Sequence, residues 1–226
     1  MFRRLAAIAA LLLLAAPGSA EETQRPLPPP LLDDTAVQGA AETAVLAGGC
    51  FWGIEGVFQH VKGVKSVAAG YAGGAAFSAH YELVGTGTTG HAESVEIVFD
   101  PRLITYGQIL RIYFSVMDPT TLDYQGPDEG PQYRSEVFAA DPAQRRIAEA
   151  YIAQLAQAHA FLRPVVTRVS LQRSFYRAEA YHQDYLIRHP DEPYIVINDL
   201  PKIAKLRALY PQFYVDRPVT LAPTRF

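Results

Sequence analysis

Two apolar periods take turns along this chain, one of two residues and one near the helical 3.6, and their alternation lays out the elements. Thr43 to Ala47 is a short apolar run that reads as a buried strand. Gly48-Gly49 then opens a helical period at Ile54, Val57, Phe58 and Val61, with Gly63 as its stop. Val64 to Tyr71 reads as a strand, Ala72 to Gly90 as a glycine-rich functional loop, and Glu93 to Phe99 alternates as a further strand. Thr105-Tyr106-Gly107-Gln108 has the form of a capping box, which predicts a helix to about Val116. After a loop from Asp118 to Arg134, Ser135 to Ala139 reads as a strand. Asp141-Pro142 then caps a helix reaching about Ala160, with Ile147, Tyr151, Leu155 and Ala158 on one face. Val165 to Leu171 alternates again, Glu179 to Ile187 looks helical, and Asp199 can cap a last helix with Ile203 and Leu206 inward. Strands separated by helices, not all in regular β-α-β order, predict an α+β fold: a two-layer sandwich with helices packed on a mixed sheet.

The first forty residues follow neither period. Arg3 and Arg4 precede an apolar run from Leu5 to Ala16 and the small-residue end Pro17-Gly18-Ser19-Ala20, the layout of a secretory signal peptide over residues 1–20. As a helix that run rises about 18 Å, too short for the hydrocarbon core. No later segment is long enough to span, so no stable membrane insertion is predicted. Pro26, Pro28, Pro29 and Pro30 mark residues 21–41 as an extended Pro-rich tether. The domain proper, 42–226, starts at Glu42. These features predict an exported protein, periplasmic after cleavage near Ala20.

The 226-residue chain carries a formal charge of −3, and loss of Arg3 and Arg4 makes it more acidic, which argues against nucleic acid as a partner. The length beyond the tether fits one domain with its own core. Cys50 is the only cysteine, so no internal disulfide can form, although the leader points to an oxidising compartment. A lone thiol there is either buried and inert or used for chemistry.

Cys50 lies where the first helix is predicted to start, and there the helix dipole and unpaired N–H groups favour the thiolate. A fall in pKa from about 8.5 to about 6.5 would raise the thiolate fraction roughly 25-fold and lower intrinsic nucleophilicity roughly 8-fold. A net gain of about threefold does not make an enzyme, so a second catalytic device is required. Glu93 shares its strand face with Val95, Ile97 and Phe99. A carboxyl on that apolar face is either paired or protonated, and a carboxyl with a raised pKa is a general acid, typically worth about 10²- to 10⁴-fold. Phe51 and Trp52 could line an apolar pocket for a methyl or thioether group. Tyr81 and Tyr133 could donate to a substrate oxygen, and Asp128 sits in the turn-forming Gly126-Pro127-Asp128-Glu129-Gly130. His91 and His182 lack the close spacing of metal ligands, so neither a metal nor another cofactor is predicted.

Together these stretches match a family. Gly48-Gly49-Cys50-Phe51-Trp52-Gly53, Gly90-His91-Ala92-Glu93, Asp128-Glu129-Gly130-Pro131-Gln132-Tyr133-Arg134-Ser135 and Ala178-Glu179-Ala180-Tyr181-His182-Gln183 resemble, in order and spacing, the A-class peptide methionine sulfoxide reductases. The resemblance covers about residues 43 to 210. It implies an α+β sandwich related to the ferredoxin-like plait, and reduction of methionine S-sulfoxide, free or in proteins. It implies Cys50 as nucleophile and Glu93 as proton donor. Phe51 and Trp52 would hold the methyl group, Tyr81 and Tyr133 would bond the oxygen, and Asp128 would support orientation. Oxygen would leave on the enzyme as a Cys50 sulfenic acid.

The chain departs from its relatives in three places. Many carry resolving cysteines near the C-terminus, where this chain has Tyr194-Ile195-Val196-Ile197-Asn198, so recycling calls for an external thiol reductant, thioredoxin-like or small. The loop before Tyr81 lacks the usual Asn-Pro, and Pro131 stands where many relatives have threonine. Two other readings of Cys50 are a cysteine hydrolase with a histidine base, and a module that binds oxidised methionine segments without turning them over.

Overall fold

In the computed structural model, which describes residues 26–34 and 39–221, six of the strands gather into one sheet and two form a separate hairpin. The strands are β1 (Glu42–Gly48), β2 (Val64–Ala72), β3 (Ala92–Phe99), β4 (Tyr124–Gln125), β5 (Asp128–Glu129), β6 (Ser135–Ala139), β7 (Arg168–Leu171) and β8 (Phe175–Arg177). The helices are α1 (Phe51–Gln59), α2 (Tyr81–Val84), α3 (Tyr106–Val116), α4 (Pro142–Gln157), α5 (Tyr185–Arg188) and α6 (Leu200–Leu209). The main sheet runs β7-β6-β1-β3-β2-β8 and is mixed: β6 and β7 pair parallel, the other neighbours antiparallel. This is the predicted α+β architecture.

The core lies between the sheet and α1, α3, α4 and α6, where Leu46, Phe51, Ile54, Phe58, Val95, Ile97, Tyr113, Phe114 and Leu206 are buried together. Alternation puts Glu93 on that apolar face, as its period predicts. α3 carries the capping box: Thr105 Oγ1 accepts the Gln108 N–H, and Gln108 Oε1 accepts the Thr105 N–H. Register then assembles one sheet end. Ala47 faces Ser94, Tyr71 faces Glu93, and Gly48 faces Ser135, so the chain leading to Cys50, the Glu93 carboxyl and the chain leaving Tyr133 converge there.

Several local readings change. The predicted signal peptide, residues 1–20, lies outside the described residues. Residues 26–34, read as part of a tether, have no regular structure and are docked on the domain. Leu27 joins the core, Arg111 Nε donates to its carbonyl at 2.6 Å, and Tyr151 donates to the Pro28 carbonyl at 2.8 Å. Glu179 to Ile187 is not one helix, because Asp184 takes a left-handed φ of 54° and only the single turn of α5 follows it. The loop from Asp118 to Arg134 contains the β4–β5 hairpin, and the strand of β8 has no counterpart among the sequence predictions. Among the described residues no helix is long and apolar enough to cross a membrane.

Candidate active site

Gly49 turns the chain from β1 into α1 with a φ of 87°, and a side chain there would run into Gln125, so only glycine suits both demands. Cys50 follows at the N-cap position of α1 and is buried, 7% exposed. The helix-start argument alone predicts an acidified thiol, and the structure overturns that. Burial pushes the Cys50 thiol well above its ordinary range, the nearby Glu93 and Asp199 charges add to it, and the Trp52 N–H and Lys202 pull weakly the other way. Desolvation is the largest of these effects. The resting site therefore holds a protonated thiol.

Glu93 is 3% exposed, and its Oε2 accepts the Phe51 N–H at 3.1 Å. Burial raises its carboxyl to about 8, against the lowering effects of that N–H and the Cys50 side chain, with Asp128 adding repulsion. The carboxyl is thus largely protonated at neutral pH. The charged groups that act most on the sulfur are Glu93, Asp199 and Lys202.

The aromatic residues close the site. Phe51 is buried and Trp52 half-buried, with ring centroids 6.4 Å apart. Trp52 stacks on Tyr185 at 3.9 Å and meets the edge of Tyr194 at 6.0 Å. Tyr81 opens α2, and its N–H donates to Glu179 Oε1 at 3.0 Å; the missing Asn-Pro leaves it at the site. Tyr133 ends a single 3₁₀ turn, Pro131–Tyr133, with Pro131 at its start. Burial raises both hydroxyls, and the Glu93 and Cys50 charges contribute in each case. Asp128 Oδ2 accepts the Tyr194 hydroxyl, and burial raises the Asp128 carboxyl. Cys50, Tyr81, Glu93, Asp128 and Tyr133 thus lie near enough to shift one another's charge, beside the Phe51 and Trp52 rings at the start of α1. Among the described residues no cluster of three or more His, Cys, Asp or Glu could hold a metal ion.

Sequence reasoning missed the wall that faces Trp52. Tyr185 and Tyr194 come from stretches read as helix and as a departure from the family, and Asp199 stands at the N-cap of α6 as predicted but makes no capping bond with its side chain. Instead a π-helical turn, Ile195–Asp199, leads into α6. It turns the Asp199 side chain inward, fully buried, where it accepts Lys202 Nζ at 2.8 Å against Gly53 of α1. The signal available in sequence was Glu179 within the quoted Ala178–Gln183 stretch. Its two oxygens take the Tyr81 N–H and, at 2.8 Å, the Tyr71 hydroxyl.

Comparison with known proteins agrees with this architecture. Residues 42–212 match the family described as peptide methionine sulfoxide reductase. The chain is 56% identical over 189 residues to "Peptide methionine sulfoxide reductase MsrA 2" of Mesorhizobium japonicum, covering 83% of this chain and 96% of the relative. It is 48% identical over 188 residues to a Synechocystis protein of the same name, covering 81% and 88%. Among solved structures it resembles reduced Mxr1 from Saccharomyces cerevisiae, with a TM-score of 0.60, 30% identity, and coverage of 71% and 90%. It also resembles methionine sulfoxide reductase A of Corynebacterium diphtheriae, with a TM-score of 0.58, 34% identity, and coverage of 68% and 77%. Fold and likeness define an α+β oxidoreductase. The chain belongs to the peptide methionine sulfoxide reductase family.

Proposed function

We propose that the protein reduces methionine S-sulfoxide, free or in proteins, through attack of the Cys50 sulfur on the sulfoxide sulfur with Glu93 as proton donor. The observation that carries this reading is a buried carboxyl that accepts the Phe51 N–H, one residue from Cys50, and is raised by burial to about 8. A protonated Glu93 gives its proton to the sulfoxide oxygen and makes the sulfur electrophilic. The ionised carboxyl then accepts the thiol proton, so the thiolate is generated as it attacks. The substrate S–O bond breaks, the substrate sulfur gains two electrons, and the Cys50 sulfur loses two and keeps the oxygen as sulfenic acid. Phe51 and Trp52 enclose the methyl group, Tyr81 and Tyr133 donate to the oxygen, and Asp128 orients the aromatic wall through Tyr194.

With Cys50 the only cysteine, no intramolecular disulfide can discharge the sulfenic acid. An external reductant supplies two thiols, leaves as a disulfide and releases water. The residues 1–20 support export, with repair of oxidised proteins in the periplasm as the setting. Assaying the S- and R-epimers separately with a small thiol tests the reading: the S-epimer should turn over and the R-epimer should not, with Cys50→Ser inactive. Hydrolysis of activated esters in place of sulfoxide reduction would favour the cysteine-hydrolase alternative, and unimpaired turnover by Cys50→Ser would overturn the assignment of the nucleophile.

A further inference from the structure

The far face of the sheet holds a cleft that no step of the reaction uses. Along β6, Val137 is buried in the core with Cys50, so Glu136 and Phe138 point to the opposite side. Parallel pairing sets Arg168 and Ser170 of β7 beside them. The cleft there measures about 750 Å³, and Gly73-Gly74, Thr89-Gly90 and the Arg173-Ser174 segment leading into β8 form its other walls. That volume suits a small molecule. The chain is −3 overall, whereas the cleft is lined by three guanidinium groups and one carboxylate.

The carboxylate is already engaged: Glu136 Oε2 accepts Arg134 Nε at 2.6 Å, and its Oε1 accepts the Ser170 hydroxyl at 2.7 Å. Arg134 is 6% exposed and also donates to the carbonyls of Gly90 at 3.0 Å, His91 at 3.2 Å and Pro131 at 2.9 Å. A guanidinium has five N–H donors, so these bonds leave one on the buried Nη2. Gly73 makes room for that nitrogen, since a Cβ there would sit 2.7 Å from it. Arg168 reaches only Asp123, at 3.5 Å, with both side chains well exposed. A pair of that kind is worth little and yields to a competing anion. Arg173 makes no hydrogen bond or ion pair among the described residues. We infer that this cleft binds a small polyanion, a diphosphate or a polycarboxylate, whose oxygens are taken by Arg134 Nη2, Arg168 and Arg173. The planar guanidinium fork matches such oxygens. Thr89 Oγ1 accepts the His91 N–H and keeps its own hydrogen to give, so the wall also offers a neutral donor.

Titration calorimetry of the full protein at low ionic strength, with pyrophosphate and with citrate, tests this in the wild type and in four variants. The wild type should bind at a single site, with affinity falling as salt is raised. Arg173→Ala should weaken binding about 10-fold or more, the loss of a charge-assisted hydrogen bond. Arg168→Ala should weaken it about 3- to 10-fold, because that guanidinium is already shared with Asp123. Asp123→Asn suits the left-handed φ of 55° at its position and frees Arg168, so it should tighten binding about 2- to 5-fold. Arg163→Ala removes an exposed arginine outside the cleft and should change nothing. Binding of both anions supports recognition of their shared charged oxygens, and binding of one alone assigns the ligand as phosphoryl or carboxylate. No binding of either anion, an affinity unchanged in both Arg173→Ala and Arg168→Ala, or an equal loss in Arg163→Ala overturns the inference.

Discussion

The Phe51 N–H donates to Glu93 Oε2, which ties the first turn of α1 to the middle strand of the sheet one residue after Cys50. The Glu93 carboxyl is therefore anchored by a backbone N–H next to the nucleophile.

Glu93→Gln keeps an oxygen for the Phe51 N–H and removes the acidic proton. Single-turnover reduction should slow by about 10²- to 10⁴-fold with thermal stability near that of the wild type. In the wild type the acid form is the working form, so the single-turnover rate should be level below a pH of about 8 and fall above it. Stopped-flow rates across pH check both; an unchanged rate in Glu93→Gln removes Glu93 from the proton-donor role.

Glu55 is a second buried carboxyl, on α1 and away from the sulfur. Its Oε1 accepts the Asp184 N–H at 3.1 Å, and burial raises its pKa from 4.5 to about 8. The folded state holds a proton that the unfolded chain releases, so the stability from this group is complete below 4.5 and declines as pH rises toward 8. Glu55→Gln should flatten that decline, measured as denaturant midpoints between the two pH values. An identical slope in the variant would contradict it.

Gly53 lets α6 approach α1. A methyl group there would sit on Asp199 Oδ1 and 2.7 Å from Lys202 Nζ. Gly53→Ala should destabilise by about 1–3 kcal/mol, as overpacking does, even though alanine is the better helix former. Urea denaturation measures it, and a stabilised variant would show that the contact between the helices yields freely.

Asp33 gives the docked amino-terminal segment its hold on α3: its Oδ1 accepts the Gly107 N–H at 2.8 Å and its Oδ2 accepts the Thr105 hydroxyl. Asp33→Ala should cost about 1 kcal/mol, the scale of a lost helix cap. Denaturant midpoints of variant and wild type would register this, and equal values would return residues 26–34 to the role of a passive tether.

The legible parts of the structure are those set by short-range rules. The two-residue period of Glu93 to Phe99 put the carboxyl on the core face, and the Thr105–Gln108 pattern located a real capping box. What escaped depends on distant partners. The prolines before Asp33 lack N–H groups, and the Pro28 and Pro29 carbonyls are taken by Tyr151 and Gln154 of α4, which no composition reveals. Asp199 has the residue type of a cap, yet the π-helical turn before it carries it inward to Lys202 and Gly53. The Cys50 thiol failed differently: the helix-start argument counted the dipole and left out the desolvation, which a buried position makes larger.

Intact mass and peptide mapping after incubation with excess methyl sulfoxide, with no thiol present, tests the central claim most directly. The account predicts one equivalent of reduced product per chain and a gain of one oxygen, about 16 Da, at Cys50. Two or more equivalents per chain without reductant, or an unmodified Cys50 after product has formed, would contradict it.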